Sequence, residues 1–262
     1  MDELKAIVFS RDRAMQLDAF LHSVELHVPE LFEELVVLYR ATEEGFAAGY
    51  ERLRAERSGV TWVAESSFRD DLLELVGDER LLVFHTDDDV YFRSIGAFDL
   101  RDDEVCFTLR LGLNTTYCYP LDLDEALRNA EVGGDRVSWD WRAQDPGAYS
   151  YPLALNAHVF RAGEAHEWLG RTEYASPNEL EAALQALSPD VRPRMASFVH
   201  NAVVSIPANI VNDTYANRHG ALHGVQDLNR RFLDGERIDV PAMSFDRIGA
   251  CHVEIPYVFG RP

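Results

Sequence analysis

Leu81-Leu82-Val83-Phe84-His85-Thr86-Asp87-Asp88-Asp89-Val90-Tyr91-Phe92 decides how this chain is read. An apolar run drives into three consecutive carboxylates and then resumes as apolar sequence. A buried strand that ends in clustered acids sets oxygen ligands at the carboxyl edge of a sheet. Hard divalent cations such as Mg²⁺ or Mn²⁺ take such ligands, and they often share them with a substrate's phosphates. In open α/β sheets, ligands bind beyond the carboxyl ends of the strands. The plain alternative is an acidic turn on an acidic protein, since Asp favours turns. The flanking sequence separates the two.

Upstream of that run, strand and helix alternate. Lys5-Ala6-Ile7-Val8-Phe9 reads as a short apolar strand. Residues 13–27 carry Met15, Leu17, Phe20, Leu21 and Val24 at helical spacing. Residues 34–39, 59–63 and 80–85 read as further strands, and 43–56 and 67–76 as helices. This alternation predicts an α/β fold with a mostly parallel sheet flanked by helices.

Downstream the regularity breaks. A strand is expected over 104–111, then an irregular stretch over 112–152 whose aromatics (Tyr117, Tyr119, Trp139, Trp141, Tyr149, Tyr151) argue against disorder. Strands follow at 153–160 and 202–206, and helices at 163–170, 176–187 and 225–233. No repeat or linker interrupts the chain. Residues 1–262 are read as one domain, with a nucleotide-binding half over 1–100 and a more irregular half over 101–262.

Composition narrows the function classes. The 45 acids against 25 bases give a formal charge of −20, which excludes nucleic acid as the main partner. No apolar run approaches the ~20 residues of a membrane span. The opening Met1-Asp2-Glu3-Leu4-Lys5 runs straight into a strand with no signal peptide, so a cytoplasmic location is expected. Cys106, Cys118 and Cys251 include no CxxC pair and read as buried free thiols.

The first strand ends in Phe9-Ser10-Arg11-Asp12-Arg13. Two guanidiniums and a hydroxyl at a helix N-terminus suit a phosphate. A helix cap by Ser10 or Asp12 with solvated arginines is the structural alternative, and both can hold together. Neither GxGxxG nor GxxxxGK[ST] follows the strand, which disfavours a dinucleotide dehydrogenase or a P-loop enzyme.

Taken together, Ser10-Arg11-Asp12-Arg13-Ala14-Met15-Gln16-Leu17 after the first strand, Tyr39-Arg40-Ala41-Thr42 after the second and Asp87-Asp88-Asp89 after the fourth make the chain resemble the GT-A glycosyltransferases. The similarity is to bacterial, family-2-like members with a DXD motif. It covers the first hundred residues and extends only loosely beyond. The triplet is a short pattern, and its place at the end of the fourth strand supplies the specificity.

The resemblance implies a GT-A-like, Rossmann-related sheet with an acceptor-binding C-terminal half. It implies metal-dependent transfer of a sugar from a nucleotide diphosphate sugar, UDP- or GDP-linked, to a glycan or glycolipid acceptor. The reaction would be inverting and would suit cytosolic polysaccharide biosynthesis. By position, Asp89 is the leading ligand for Mn²⁺ or Mg²⁺, and Asp87 is its DXD partner, facing the donor. Ser10, Arg11, Arg13 and Asp88 would line the donor site, with Tyr39, Thr42, Glu65, Phe68 and Arg69 as further candidates. His219 or His223, in Asn217-Arg218-His219-Gly220-Ala221-Leu222-His223-Gly224, would complete the metal shell.

The family's E-D general base has no counterpart after residue 100. Ser176-Pro177-Asn178-Glu179 forms a capping box, which gives Glu179 a structural role. Glu181 is then the preferred base, with Asp140 and Asp145 as rivals. Trp139, Trp141 and Tyr151 would form the acceptor platform, the alternative being aromatics folded into the core. Two other functions stay open: a sugar-nucleotide nucleotidyltransferase, which lacks its usual Gly-rich basic loop here, and a non-catalytic nucleotide- or carbohydrate-binding protein on the same scaffold.

Overall fold

The computed structural model describes residues 4–77, 79–211 and 218–261. The front half follows the alternation read from the sequence: β1 (Leu4–Arg11), α1 (Ala14–His27), β2 (Glu34–Arg40), α2 (Glu44–Glu56), β3 (Thr61–Ala64), α3 (Phe68–Leu75) and β4 (Leu81–Thr86). A short strand, β5 (Asp89–Tyr91), begins on the last acid of the triplet. The back half adds β6 (Glu104–Thr108), β7 (Tyr117–Cys118), β8 (Leu123–Asp124), β9 (Glu131–Gly133), β10 (Arg136–Asp140), β11 (His158–Arg161), α4 (Ala162–Arg171), α5 (Pro177–Leu187), β12 (Arg194–Phe198), β13 (Val203–Ser205) and α6 (Val225–Leu233).

A nine-stranded sheet runs in the order β3-β2-β1-β4-β11-β6-β12-β10-β9. The pairs β1–β2, β1–β4, β2–β3 and β6–β12 are parallel, while β11 and β10 run against their neighbours. The sheet therefore draws strands from both halves of the chain. A separate two-stranded ribbon pairs β5 with β13.

Period-two alternation fills both faces of the sheet. Ala6, Val8, Leu81 and Val83 point into a core shared with α1, α2 and α6. Ile7, Phe9, Leu82 and Phe84 point into a second core under α3, α4 and α5. On the first face the helices approach closely. A Cβ at Gly49 would stand 2.5 Å from Asn229 Oδ1 and 3.0 Å from Ala14 Cβ, so a side chain there would displace Asn229 and crowd Ala14 where α2 meets α6 and α1. The start of α5 is capped as the sequence predicts: Ser176 Oγ accepts from Glu179 N at 3.3 Å. The Glu179 carboxylate reaches back one residue further than expected, to Ala175 N at 2.8 Å.

Three expectations change. The strand expected over 153–160 begins only at His158, because Ala157 sits at φ 53 and turns the chain. The stretch 112–152 is not simply irregular, since its β10 pairs with β12 inside the main sheet. The strand β12 had no sequence prediction at all. Trp139 and Trp141 accordingly belong to the core, with indole N–H groups donated to Tyr149 O at 2.9 Å and Arg192 O at 2.8 Å. All three cysteines are free and buried. Among the described residues, no helix is long and apolar enough to cross a membrane.

Trp139 has no solvent exposure. Its replacement by Ala is expected to lower stability by about 3–5 kcal/mol through the cavity it leaves, read as a shifted midpoint in urea unfolding.

Candidate functional site

Strands β1 and β4 run parallel with Phe9 opposite Thr86, so the loop after one and the turn after the other leave the sheet side by side. Asp12 holds the first loop in shape. It adopts φ 59, and its carboxylate accepts from Thr42 N and from Thr42 Oγ1, both at 2.7 Å. An aspartate tolerates this left-handed conformation better than most residues. Here it also ties the end of β1 to the residues following β2.

The loop then grips the acid turn. Ser10 Oγ donates to Asp87 Oδ2 at 2.8 Å, and the Arg11 N–H approaches the same oxygen at 3.3 Å. Arg13 Nη1 lies 3.1 Å from Asp87 Oδ1 and 3.4 Å from Asp88 Oδ2. The remainder of that guanidinium is held by Asn209, through Nε to Oδ1 at 2.9 Å and through Nη2 to the backbone carbonyl. Burial pushes the Asp87 acid up, and the Arg13 charge pulls back only part of that rise. Burial also raises part-buried Asp88, against the pull of Arg13 and with a push from Asp89.

The third acid turns the other way. Asp89 has no exposure, and its carboxylate meets His85 Nδ1 at 2.8 Å, Ser205 Oγ at 2.5 Å and Asn156 Nδ2 at 3.5 Å. Burial opposes its ionisation, but the hydrogen bonds from His85 and Ser205 prevail and hold it below the usual carboxylate range. His85 passes the interaction on to Tyr91, whose hydroxyl is 3.1 Å from Nε2.

A cavity of about 670 Å³ opens over this edge of the sheet, within the size range of small-molecule sites. Ser10, Arg11, Arg13, Asp87 and Asp88 line it at one end. Glu65, in an ion pair with Arg40 at 3.3 Å, and Phe68 also reach it. Glu181, Tyr151 and His219 contribute further wall. Most of the donor-side residues expected from the sequence are thus brought together.

Others are not. Asp89 does not line the cavity, because the turn from β4 into β5 directs its carboxylate into the protein. Tyr39 packs on Tyr50 at 4.7 Å, and Thr42 is spent on Asp12. Arg69 clamps α3 to the end of α4 through the carbonyls of Thr172 and Gly170. Asp140 is exposed and caps a short turn by accepting from Arg142 N at 2.9 Å, while Asp145 pairs with Arg128 at the surface. His223 stacks on Tyr257 at 5.4 Å, away from the cavity. Asn217 lies outside the described residues.

The cavity also has walls the sequence reading passed over: Arg110, Asn156, Asn209, Cys251 and His252. His252 is held neutral, since burial and the Arg110 charge push it down to about 4. Arg110 could have been noticed, because a lone cation between Leu109 and Leu111 at a strand end is unusual in apolar sequence. The other four carry no local signal.

A divalent cation meets a limited donor set here. Among the described residues, no group of three or more His, Cys, Asp or Glu side chains could hold a metal. Asp87 and Asp88 are the aspartates on the cavity wall, and both already engage Arg13. Mg²⁺ and its like are commonly bound by one or two carboxylates together with substrate phosphates and water. The described residues therefore fit an ion shared with a phosphorylated ligand.

No family model matches the chain. A curated relative, the bifunctional glycosyltransferase pgtA of Dictyostelium discoideum, is 24% identical over 185 residues, covering 62% of this chain. The chain spans about a quarter (24%) of that relative's length. Among solved structures, S. aureus TarS is similar over 77% of this chain and 36% of its own, at 15% identity and a TM-score of 0.44. The galactosyltransferase LgtC, solved with donor and acceptor sugar analogs, is similar over 68% and 70%, at 16% identity and a TM-score of 0.38.

The geometry separates the acids by role. Asp89→Ala strands His85 and Ser205 in the core and is expected to cost about 3 kcal/mol of stability. Asp88→Asn keeps the turn's shape and should cost less than about 1 kcal/mol. Equal losses in chemical denaturation would reject this division.

Proposed function

We propose that this chain transfers a sugar from a nucleoside diphosphate sugar, UDP- or GDP-linked, to a hydroxyl of a glycan or glycolipid, with inversion at the anomeric carbon. One observation carries the reading. A single cavity joins an arginine- and serine-bearing loop at a helix N-terminus and an acid turn at the carboxyl edge of parallel strands to a carboxylate, Glu181, on a different element. The sequence similarity to a glycosyltransferase over 62% of the chain supports it.

In this mechanism the nucleotide lies over the ends of β1 and β2, where Arg11 and the start of α1 favour its phosphates. Asp88 and Asp87 would hold a divalent cation jointly with those phosphates; when bound, it would neutralise charge on the departing diphosphate. Glu181 receives the proton of the acceptor hydroxyl. The acceptor oxygen attacks the anomeric carbon, the bond to the diphosphate breaks, and its electron pair leaves with the phosphate. Glu181 has the free acceptor capacity that a base requires. Its Oε2 takes only a long contact from Leu155 N at 3.4 Å, and no other donor reaches the side chain among the described residues. With Trp139 and Trp141 in the core, Tyr151 is the member of the expected acceptor platform that remains on the cavity wall.

Thermal shift with UDP and GDP, each with and without Mn²⁺, tests the reading. A ligand that binds only the native state raises its apparent stability. Mn²⁺ alone should shift the midpoint little, and one nucleotide with Mn²⁺ should shift it by several degrees. The metal-dependent part should vanish in Asp88→Asn. A metal-only shift as large as the joint one contradicts the shared-ion arrangement. Glu181→Gln should leave that nucleotide shift intact while slowing transfer by about 10²- to 10⁴-fold, measured as diphosphate release in the presence of acceptor.

A further inference from the structure

The cavity contains two buried guanidiniums with opposite circumstances. Arg13 is 8% exposed, and each of its side-chain nitrogens has a partner: Nη1 the acids, Nε and Nη2 Asn209. Arg110 is 5% exposed and lines the same cavity, yet its guanidinium makes no hydrogen bond or ion pair among the described residues, and its Nε is enclosed without a partner. Its anchorage is all backbone. Arg110 N approaches Thr108 Oγ1 at 3.3 Å, and Arg110 O accepts from Cys251 Sγ at 3.6 Å. The carboxylates of Glu181 and Asp89 are near enough to act on its charge, but neither is within pairing distance. A buried guanidinium without a hydrogen-bonded partner is costly even where nearby carboxylates favour its charge, and proteins normally supply a direct partner.

We infer that Arg110 receives an oxyanion of the bound substrate, the guanidinium presenting its planar fork to a carboxylate or phosphate group. Two sources share that chemistry. One is the carboxylate of an acidic sugar, such as a uronic acid, seated beside Glu181. The other is the diphosphate of the donor. In either case Arg110 gives a site lined by Asp87, Asp88 and Glu181 positive charge with which to admit an anion. As a statement about substrate class, this deepens the glycosyl-transfer reading and rests on it; as an anion site, it can be tested apart from it.

The test titrates inorganic pyrophosphate and D-glucuronate separately into the wild-type chain, Arg110→Gln and Arg110→Lys, by calorimetry and thermal shift. These probes do not depend on the donor's base. The expected result is that one of them binds the wild type, that Arg110→Gln weakens it by about 30-fold or more, and that Arg110→Lys recovers part of the loss. Dependence confined to glucuronate assigns the sugar carboxylate, and dependence confined to pyrophosphate assigns the diphosphate. Failure of both anions to bind the wild type, or equal binding by wild type and Arg110→Gln, overturns the proposal. Should Arg110→Gln not fold, the wild-type titrations and Arg110→Lys still decide. Nucleotide binding that persists when neither probe depends on Arg110 would leave the glycosyl-transfer reading standing while removing this one.

Discussion

The buried guanidinium of Arg13 is the tie on which the rest of the site depends. It joins the loop after β1, the acid turn after β4 and the segment at Asn209 in one hydrogen-bonded unit. Tyr50 secures it from behind. Its hydroxyl accepts the Arg13 backbone N–H at 3.1 Å and lies 2.6 Å from Ser10 Oγ, and burial keeps the phenol protonated. Two adjacent acids can occupy a sparsely hydrated edge only because this charge stands between them. Removing one partner of such a group leaves the others charged and unpaired, which is costlier than never having placed them there.

Three consecutive aspartates meet three fates. Asp87 reaches the cavity while tied to the loop by Ser10 and Arg13, Asp88 faces the cavity with fewer ties, and Asp89 is the first residue of β5 and points into the core. The sequence singles the triplet out as a candidate site, because apolar strands rarely end in clustered acids by accident of packing. It does not reveal which acids face the cavity. That depends on β5 pairing with Val203–Ser205, and nothing near the triplet announces that pairing. Ser205 reaches Asp89 from 116 residues away. The DXD spacing alone favoured Asp89, and tertiary pairing turned it inward.

The same contrast separates the two halves of the fold. Residues 4–86 were legible almost element by element, because parallel strands buried on both faces are continuous apolar runs and the helices between them repeat at helical spacing. Beyond residue 100 the signal fades. β10 reads Arg-Val-Ser-Trp-Asp and β12 reads Arg-Met-Ala-Ser-Phe, short strands whose polar residues are satisfied by partners far along the chain. Arg194 Nη2, for instance, donates to Ser138 Oγ at 2.7 Å. The tryptophans showed that the stretch is ordered, but a Trp that closes a core and a Trp that stacks on a sugar look alike until the partner of its N–H is known. Glu181 stands out in the sequence for the opposite reason: the capping box explains Glu179 and leaves Glu181 without a local role, and the fold sets it on the cavity wall.

The contacts that build the acid turn span the chain. Ser10 to Asp87 closes 77 residues, Asp89 to Ser205 closes 116 and Arg13 to Asn209 closes 196. Pairings of such separation form only after long loops have closed, and they slow a folding reaction relative to local ones. A chain emerging from the ribosome can complete β1–β4 and their helices early. At that stage its three acids sit at the sheet edge without Ser205 or Asn209. The site is therefore an output of finished folding and not a scaffold for it, and a chain cut between residues 198 and 205 would keep every strand of the nine-stranded sheet while carrying an unbalanced cluster of negative charge.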